Sequence, residues 1–226
     1  MKRSRKMLPI VFFFLLVLPC LAFPERLLSA EKFLSTLSTK LEKVKDYTAS
    51  VVITQGKAVS RGELYYKAPD DLRIDFDEPQ GQVLVLDDEK LTVYVPQYQV
   101  VLEQSYPQSV EAVEDLPTSR GLATLEREYS VGYLTGPSPV PIQEGSKEMV
   151  TKLKLVPLTV TGFQQLILSV KGSIVRRMEG LLQNGDRITL DLEQVRINQG
   201  VPASRFLFDA PENTRIVSDW LFNPQS

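Results

Sequence analysis

Carboxylates are the side chains whose spacing in this chain first suggests chemistry. The acidic cluster consists of Asp70, Asp71, Asp75, Asp77 and Glu78, with Asp87 and Asp88 further along the chain. Paired carboxylates can exchange protons with a substrate or bind calcium through their oxygens. The chain has no D-x-D-x-D-G calcium loop, and strand residues two apart share one face. This alternation favours a solvated strand face over a catalytic pair or a metal site.

The chain lacks the residues that most nucleophilic catalysis requires. The chain contains no histidine and a single cysteine, Cys20. This composition excludes Ser-His-Asp and Cys-His catalysis, imidazole zinc sites and a disulfide within the chain. Thr118 and Ser119 have no base partner and fit the start of a helix better. A carboxylate hydrolase is the remaining enzyme hypothesis, and we predict that the protein is not an enzyme.

Residues 1–22 have the layout of a secretory signal peptide. Four basic residues, at positions 2, 3, 5 and 6, precede an apolar run over 10–18, and we predict cleavage after Ala22. The remaining domain, 23–226, then has 22 basic and 28 acidic residues, because four of the 26 basic residues are removed. The resulting net charge of −6 argues against nucleic acid as a partner.

Two other interpretations of this N-terminus stay open. Leu18-Pro19-Cys20 has the place of a lipobox, in which Cys20 would be acylated and would anchor the protein through lipid. The proline directly before the cysteine fits that motif poorly. The apolar run could also remain as an uncleaved anchor, although it is shorter than the ~20 residues that a spanning helix needs.

Hydrophobic periodicity predicts two helices in the rest of the chain. Leu34, Leu37 and Leu41 share one face of a helix over 29–46, for which Ser29 is the expected N-cap. Leu122 and Leu125 share one face of a shorter helix at about 119–128. Both helices are amphipathic, so each is expected to cover apolar surface.

Alternating and β-branched segments predict the strands. They are 47–55, 62–67, 72–77, 82–86, 91–95, 99–103, a strand around 153–155, 164–170, 173–182, 186–194 and 206–208. Short connections, including the Asn184-Gly185 turn, favour antiparallel neighbours. The predicted fold class is mainly β (α+β): a single large curved antiparallel sheet, an incomplete barrel of about ten or eleven strands, with two or three helices covering the concave face.

Several predicted strands carry apolar residues on one face only. Leu72, Ile74 and Phe76 alternate with charged residues, which identifies the dry face. A sheet of this width curls because strands twist, and two helices are a small cover for its concave side. One interpretation is an unfilled apolar trough that suits an acyl chain. A packed core is the other.

Four short motifs follow one another along the chain. They are YTASVVITQ at 47–55, GELYYKAP at 62–69, DDEKLTVY at 87–94 and RFLFDAPE at 205–212. In order and spacing they resemble the first strand, the G-x-L-x-x-K-R-P stretch, the D-G-x-x-L-W-x-Y turn and the closing F-x-F-x-x-P signature of the LolA family of periplasmic lipoprotein carriers and the wider LolA-like group. The chain departs from the family at Ala68, where the family has the arginine that secures the lid, and at Glu89 and Thr92 in the turn.

The resemblance implies an incomplete β-barrel with a helical lid and a hydrophobic cavity for lipoprotein acyl chains, without enzyme activity or cofactor. It also implies a periplasmic monomer that transfers lipoproteins from the inner to the outer membrane. The implied partners are an inner-membrane release complex and an outer-membrane receptor. Ala68 leaves open whether the lid closes as in the carrier and whether the cargo is a lipoprotein or another lipid.

The residues predicted to line the lipid-binding cavity come from five predicted elements. They are Leu72, Ile74, Phe76, Leu122, Leu125, Leu166, Leu168, Met178 and Leu190. A membrane-tethered lipoprotein acceptor or an envelope-sensing module of the same fold is the alternative function.

Overall fold

The computed structural model describes residues 28–87, 90–105 and 118–219. The predicted signal peptide, Cys20 and the pair Asp88 and Glu89 lie outside these ranges. In the described ranges, none of the helices has both the length and the apolar character to cross a bilayer.

Two α-helices and thirteen β-strands form the described part of the chain. The helices are α1 (Ala30–Leu41) and α2 (Ser119–Glu128). The strands are β1 (Asp46–Gln55), β2 (Ala58–Lys67), β3 (Asp71–Glu78), β4 (Val83–Leu86), β5 (Lys90–Val95), β6 (Val100–Ser105), β7 (Tyr129–Tyr133), β8 (Val140–Pro141), β9 (Met149–Pro157), β10 (Phe163–Lys171), β11 (Ile174–Leu182), β12 (Arg187–Ile197) and β13 (Arg215–Ser218). The hydroxyls of Ser29 and Thr118 cap the two helices by accepting the backbone N–H groups of Lys32 and Gly121, which satisfies donors that a helix N-terminus otherwise leaves free.

One large, open, curved sheet dominates the fold. Its strand order is β13-β6-β5-β4-β3-β2-β1-β12-β11-β10-β9-β7, with β8 paired to β9. Every pairing is antiparallel except that of β13, which runs parallel to β6. The predicted fold class is therefore confirmed: the chain is mainly β, with one sheet and two helices.

The prediction of a strand over 206–208 is wrong. A 3-10 turn (Ala203–Phe206) occupies its first position, and the Arg73 guanidinium donates to the carbonyls of Arg205 and Leu207 at 3.1 and 2.9 Å. Because a side chain takes up these carbonyls, the segment lies across the convex face of the sheet without joining its ladder.

Three strands and one helix end also differ from the prediction. β7, β8 and β13 were not predicted, since each is short and the first follows α2 without a break. The helix predicted over 29–46 ends at Leu41 instead. Lys45 N–H donates to the Asn198 side chain and Asp46 joins β1, so this end of the segment belongs to the sheet.

The helices pack on the concave side of the sheet toward the β7 edge. Leu34 and Leu37 of α1, Leu122 of α2 and Leu153 of β9 belong to one buried cluster. The Tyr133 hydroxyl of β7 donates to the Leu28 carbonyl at 2.8 Å, just before α1 begins. These contacts hold α1 and α2 over one side of the concave face.

The convex face of β11 is clamped by the loop of residues 142–148. The Arg176 guanidinium donates to a Glu148 carboxylate oxygen at 2.9 Å, and the Lys171 ammonium lies 3.3 Å from the same oxygen. The Arg176 hydrogen bond, against a smaller opposing effect of burial, lowers the pKa of Glu148 below its usual value of 4.5. The ionised carboxylate therefore stabilises the folded state above that usual value, and this contribution is lost as the pH falls through the lower folded-state pKa.

Replacing Glu148 with glutamine is expected to lower the free energy of unfolding at neutral pH by up to about 1 kcal/mol, as for a partly exposed ion pair. The difference between the two proteins should shrink toward zero as the pH falls well below 4.5, because the native carboxyl is then protonated too. Urea unfolding at neutral and acid pH measures both values. Glu144→Gln, at an exposed position of the same loop, is the control, and an equal pH dependence in the two variants would contradict the assignment.

Candidate functional site

The strand register places apolar side chains next to one another across the concave face. Leu72 of β3 pairs with Tyr66 of β2 and with Leu86 of β4. In the other half of the sheet, Leu190 of β12 pairs with Ile53 of β1 and with Met178 of β11. Because strand neighbours on one face lie within side-chain contact, these rows form a continuous apolar surface.

An apolar cavity of about 250 Å³ lies on this surface. Eight strands, β1 to β5 and β10 to β12, supply its walls, and the pairing of β1 with β12 joins the two groups of strands. The lining residues are Ile53, Leu64, Leu72, Ile74, Leu84, Leu86, Leu91, Phe163, Leu166, Met178, Gly180, Ile188 and Leu190. All except Gly180 have aliphatic, thioether or aromatic side chains, so the cavity suits hydrocarbon and offers no side-chain charge to a polar ligand.

No residue of α1 or α2 is among the lining residues in the described part of the chain. The cavity therefore lies beside the helices on the concave face and is bounded by the sheet itself.

Five of the nine residues predicted for the cavity are brought together there: Leu72, Ile74, Leu166, Met178 and Leu190. The other four, Phe76, Leu122, Leu125 and Leu168, are buried in the core cluster and are not among the lining residues. The seven strand residues among the nine share the dry face of the sheet, whereas Leu122 and Leu125 belong to α2.

Sequence reasoning missed several lining residues on strands that it had recognised. They are Ile53, Leu64, Leu84, Leu86, Leu91, Phe163 and Ile188. The signal that could have found them is cross-strand pairing: once Ile74 is placed on the dry face, its antiparallel partners Leu64 and Leu84 must share that face. The sequence predicted the strands without predicting this register.

Gly180 shapes one wall of the cavity by having no side chain. A Cβ atom built at this position would lie 2.3 Å from Cε1 of Phe163. The Phe163 ring therefore occupies the space that a side chain at position 180 would take. This close approach explains why a glycine stands inside a strand, where it otherwise weakens packing.

Arginine side chains contact two carboxylates of the acidic cluster, Asp75 and Glu78. Asp75 accepts hydrogen bonds from Arg73 and Arg205, while Asp77 is exposed and Glu78 pairs with Arg61 at 2.8 Å. Asp75 is therefore only partly solvated, because the segment that carries Arg205 crosses the convex face there. Within the described ranges, no group of three or more histidine, cysteine, aspartate or glutamate residues could hold a metal ion.

Comparison with known proteins identifies the family of this chain. The family model described as "Outer membrane lipoprotein carrier protein LolA" matches residues 47–209, which is most of the chain. The chain belongs to the LolA family. An outer-membrane lipoprotein carrier protein of Pseudomonas entomophila is 25% identical over 198 residues, which cover 84% of this chain and 89% of the relative.

Two solved structures share the fold of this LolA-family chain. An uncharacterised conserved protein from Thermus thermophilus superposes with a TM-score of 0.54 at 14% identity, covering 82% of this chain and 97% of the other. The Pseudomonas aeruginosa MucA/MucB complex gives a TM-score of 0.51 at 12% identity, covering 80% of this chain and 61% of the other. At these identities the likeness concerns the fold alone.

Two basic residues close to Ala68 in sequence, Lys67 and Arg73, contact the C-terminal segment on the convex face. The Lys67 ammonium donates to the Val201 carbonyl at 2.9 Å, and the Arg73 guanidinium holds residues 205–207 as described above. Both cations therefore hold residues 201–207 against the sheet.

Proposed function

We propose that this protein is a periplasmic carrier that shields the acyl chains of lipoproteins in its apolar cavity during transfer from the inner to the outer membrane. The observation that carries the proposal is the cavity of about 250 Å³, lined almost entirely by aliphatic and aromatic side chains, on the concave face of a LolA-family chain. Membership of a family described as a carrier supports transport rather than catalysis as the activity.

The size of the cavity limits what it accepts without rearrangement. Its volume, about 250 Å³, lies just below the range of about 300–1,000 Å³ typical of small-molecule sites. We infer that it accommodates part of one acyl chain and that further chain enters as α1 and α2 move away from the sheet. The contacts between α1 and β7 lie at one edge, which leaves such a movement room.

Release is the step that needs a partner. Each buried methylene stabilises the complex by about 0.8 kcal/mol, so a bound acyl chain does not leave readily without help. A receptor at the outer membrane and a release complex at the inner membrane would supply the differential binding that unloading and loading require.

The experiment is purification of the exported protein from the periplasm, followed by mass spectrometry of the bound material. We expect lipoprotein carrying intact acyl chains. The control is incubation of lipid-free protein with the same lipoprotein after chemical removal of its acyl chains, which should not bind. Equal binding of the acylated and deacylated forms would contradict the proposal, because recognition would then not depend on hydrocarbon.

A second candidate is a membrane-tethered acceptor or an envelope-sensing module of the same fold. The observation that favours it is the fold shared with the MucA/MucB complex. The mass of the mature N-terminus separates the two candidates: a free residue 23 favours the soluble carrier, whereas an acylated Cys20 or a retained N-terminal segment favours the tethered form.

A further inference from the structure

The loop between β9 and β10, residues 158–162, presents apolar side chains to solvent. Leu158 is 66% exposed and Val160 is 94% exposed. The whole stretch 155–170 carries no charged residue, although Lys154 and Lys171 flank it. Exposure of single apolar residues is ordinary, but two at the tip of an uncharged loop form a surface suited to an apolar partner.

The backbone of this loop is held by hydrogen bonds within the protein. The Leu158 N–H donates to the Glu128 carbonyl at 2.8 Å. The Gln183 side chain donates to the carbonyls of Thr161 and Phe163, both at 3.1 Å. A loop whose backbone groups have internal partners can enter an apolar phase at lower cost, because those groups need not give up water.

The loop also lies at the edge of the candidate cavity. Phe163, which lines the cavity, follows Val160 by three residues and begins β10. By the antiparallel order of the sheet, the β5–β6 loop reaches the same end of the strands, and its Tyr98 is 72% exposed. Tyrosine suits the boundary between hydrocarbon and water because its ring is apolar and its hydroxyl is polar.

We propose that the loop of residues 158–162 inserts Leu158 and Val160 into the surface of a lipid bilayer and so brings the cavity edge against it. This inference rests on the proposed function only in that the cargo would come from a bilayer. Charges of both signs occur at the same end of the strands, Lys57 and Arg187 beside Glu78 and Asp186. The contact is therefore hydrophobic, and it requires neither anionic lipid nor low salt.

The test is co-sedimentation of the lipid-free protein with phosphatidylcholine vesicles at low and high salt. The double variant Leu158→Ser with Val160→Ser is expected to bind about tenfold more weakly, since two side chains lose their apolar burial. The control is Leu207→Ser, which removes an apolar side chain that is 71% exposed on the convex face. All variants share the same N-terminal segment, so a difference between them reports on the loop.

A spectroscopic readout locates the contact. With Val160→Trp, we expect tryptophan emission to shift to the blue when vesicles are added, whereas Leu207→Trp should show no shift. The proposal is overturned if the unaltered protein does not bind vesicles, which would point to a protein receptor for this loop, or if the double variant binds as well as the unaltered protein.

A third variant separates this proposal from the carrier function. Leu190→Glu, at a cavity position, should still bind vesicles even when it no longer binds an acyl probe. If Leu190→Glu loses vesicle binding, the vesicle signal arises from the cavity and the loop proposal fails. If it retains both activities, the carrier proposal fails while the loop proposal stands.

Discussion

Replacing Leu190 with glutamate is expected to weaken binding of a fluorescent fatty-acid probe by more than about a hundredfold, because an acyl chain in the cavity would have to desolvate an unpaired carboxylate. Leu190 lines the cavity between Ile53 and Met178 and is itself partly exposed. The new carboxylate can therefore reach water in the empty protein, and the fold should survive. Fluorescence titration measures the affinity, and circular dichroism checks the fold.

The matched control for this variant is Ile197→Glu. Ile197 lies on the same strand, β12, is 42% exposed and is not among the lining residues. The Ile197→Glu substitution introduces the same charge outside the cavity and should leave the affinity for the fatty-acid probe unchanged. Equal affinities of the two variants for the fatty-acid probe would show that the probe does not bind in the cavity. Leu72 and Phe76 are less suitable positions, since both are buried and a glutamate there would destabilise the fold itself.

Replacing Gly62 with alanine is expected to destabilise the protein by at least about 3 kcal/mol, a large effect for one added methyl group. A Cβ atom at this position would lie 2.2 Å from the carbonyl oxygen of Asp75 and 2.9 Å from the Cα of Phe76. Both are backbone atoms of the neighbouring strand β3, so no side-chain rotation relieves the clash. Only a displacement of β3 from β2 makes room.

Urea unfolding of Gly62→Ala gives the change in the free energy of unfolding, and Gly132→Ala is the control. Gly132 lies in strand β7, and a Cβ atom there would meet nothing within 4 Å. The control should be close to neutral or slightly stabilising, because alanine restricts the unfolded chain more than glycine does. A small effect at Gly62, similar to that at Gly132, would show that β2 and β3 can separate readily.

Local patterns in the sequence predicted much of the fold. The α2 helix has the predicted bounds, Ser29 caps α1 as expected, and the alternation at Leu72 and Ile74 identified the face that is buried. These features depend on neighbours within a few residues, so the sequence pattern contains them. The strand prediction at 206–208 failed for the opposite reason: Arg73, far away in sequence, takes the carbonyls that a ladder would use.

The division of the dry-face residues into core and cavity lining was beyond the sequence. Leu166 and Leu168 lie two positions apart on one strand and face the same side, yet only Leu166 lines the cavity. Periodicity treats the two alike. What differs is the set of side chains opposite them, which depends on the curvature of the sheet and on where α1 and α2 pack.

The sequence by itself determined the class of fold, the family motifs and the apolar face of the central strands, because each of these depends on residue types at short spacing. Only the tertiary structure decided that an apolar volume stays open beside the helices and that the Phe163 ring occupies the space next to Gly180. Empty space is a property of side chains meeting from distant strands, and no local pattern encodes how completely they fill it.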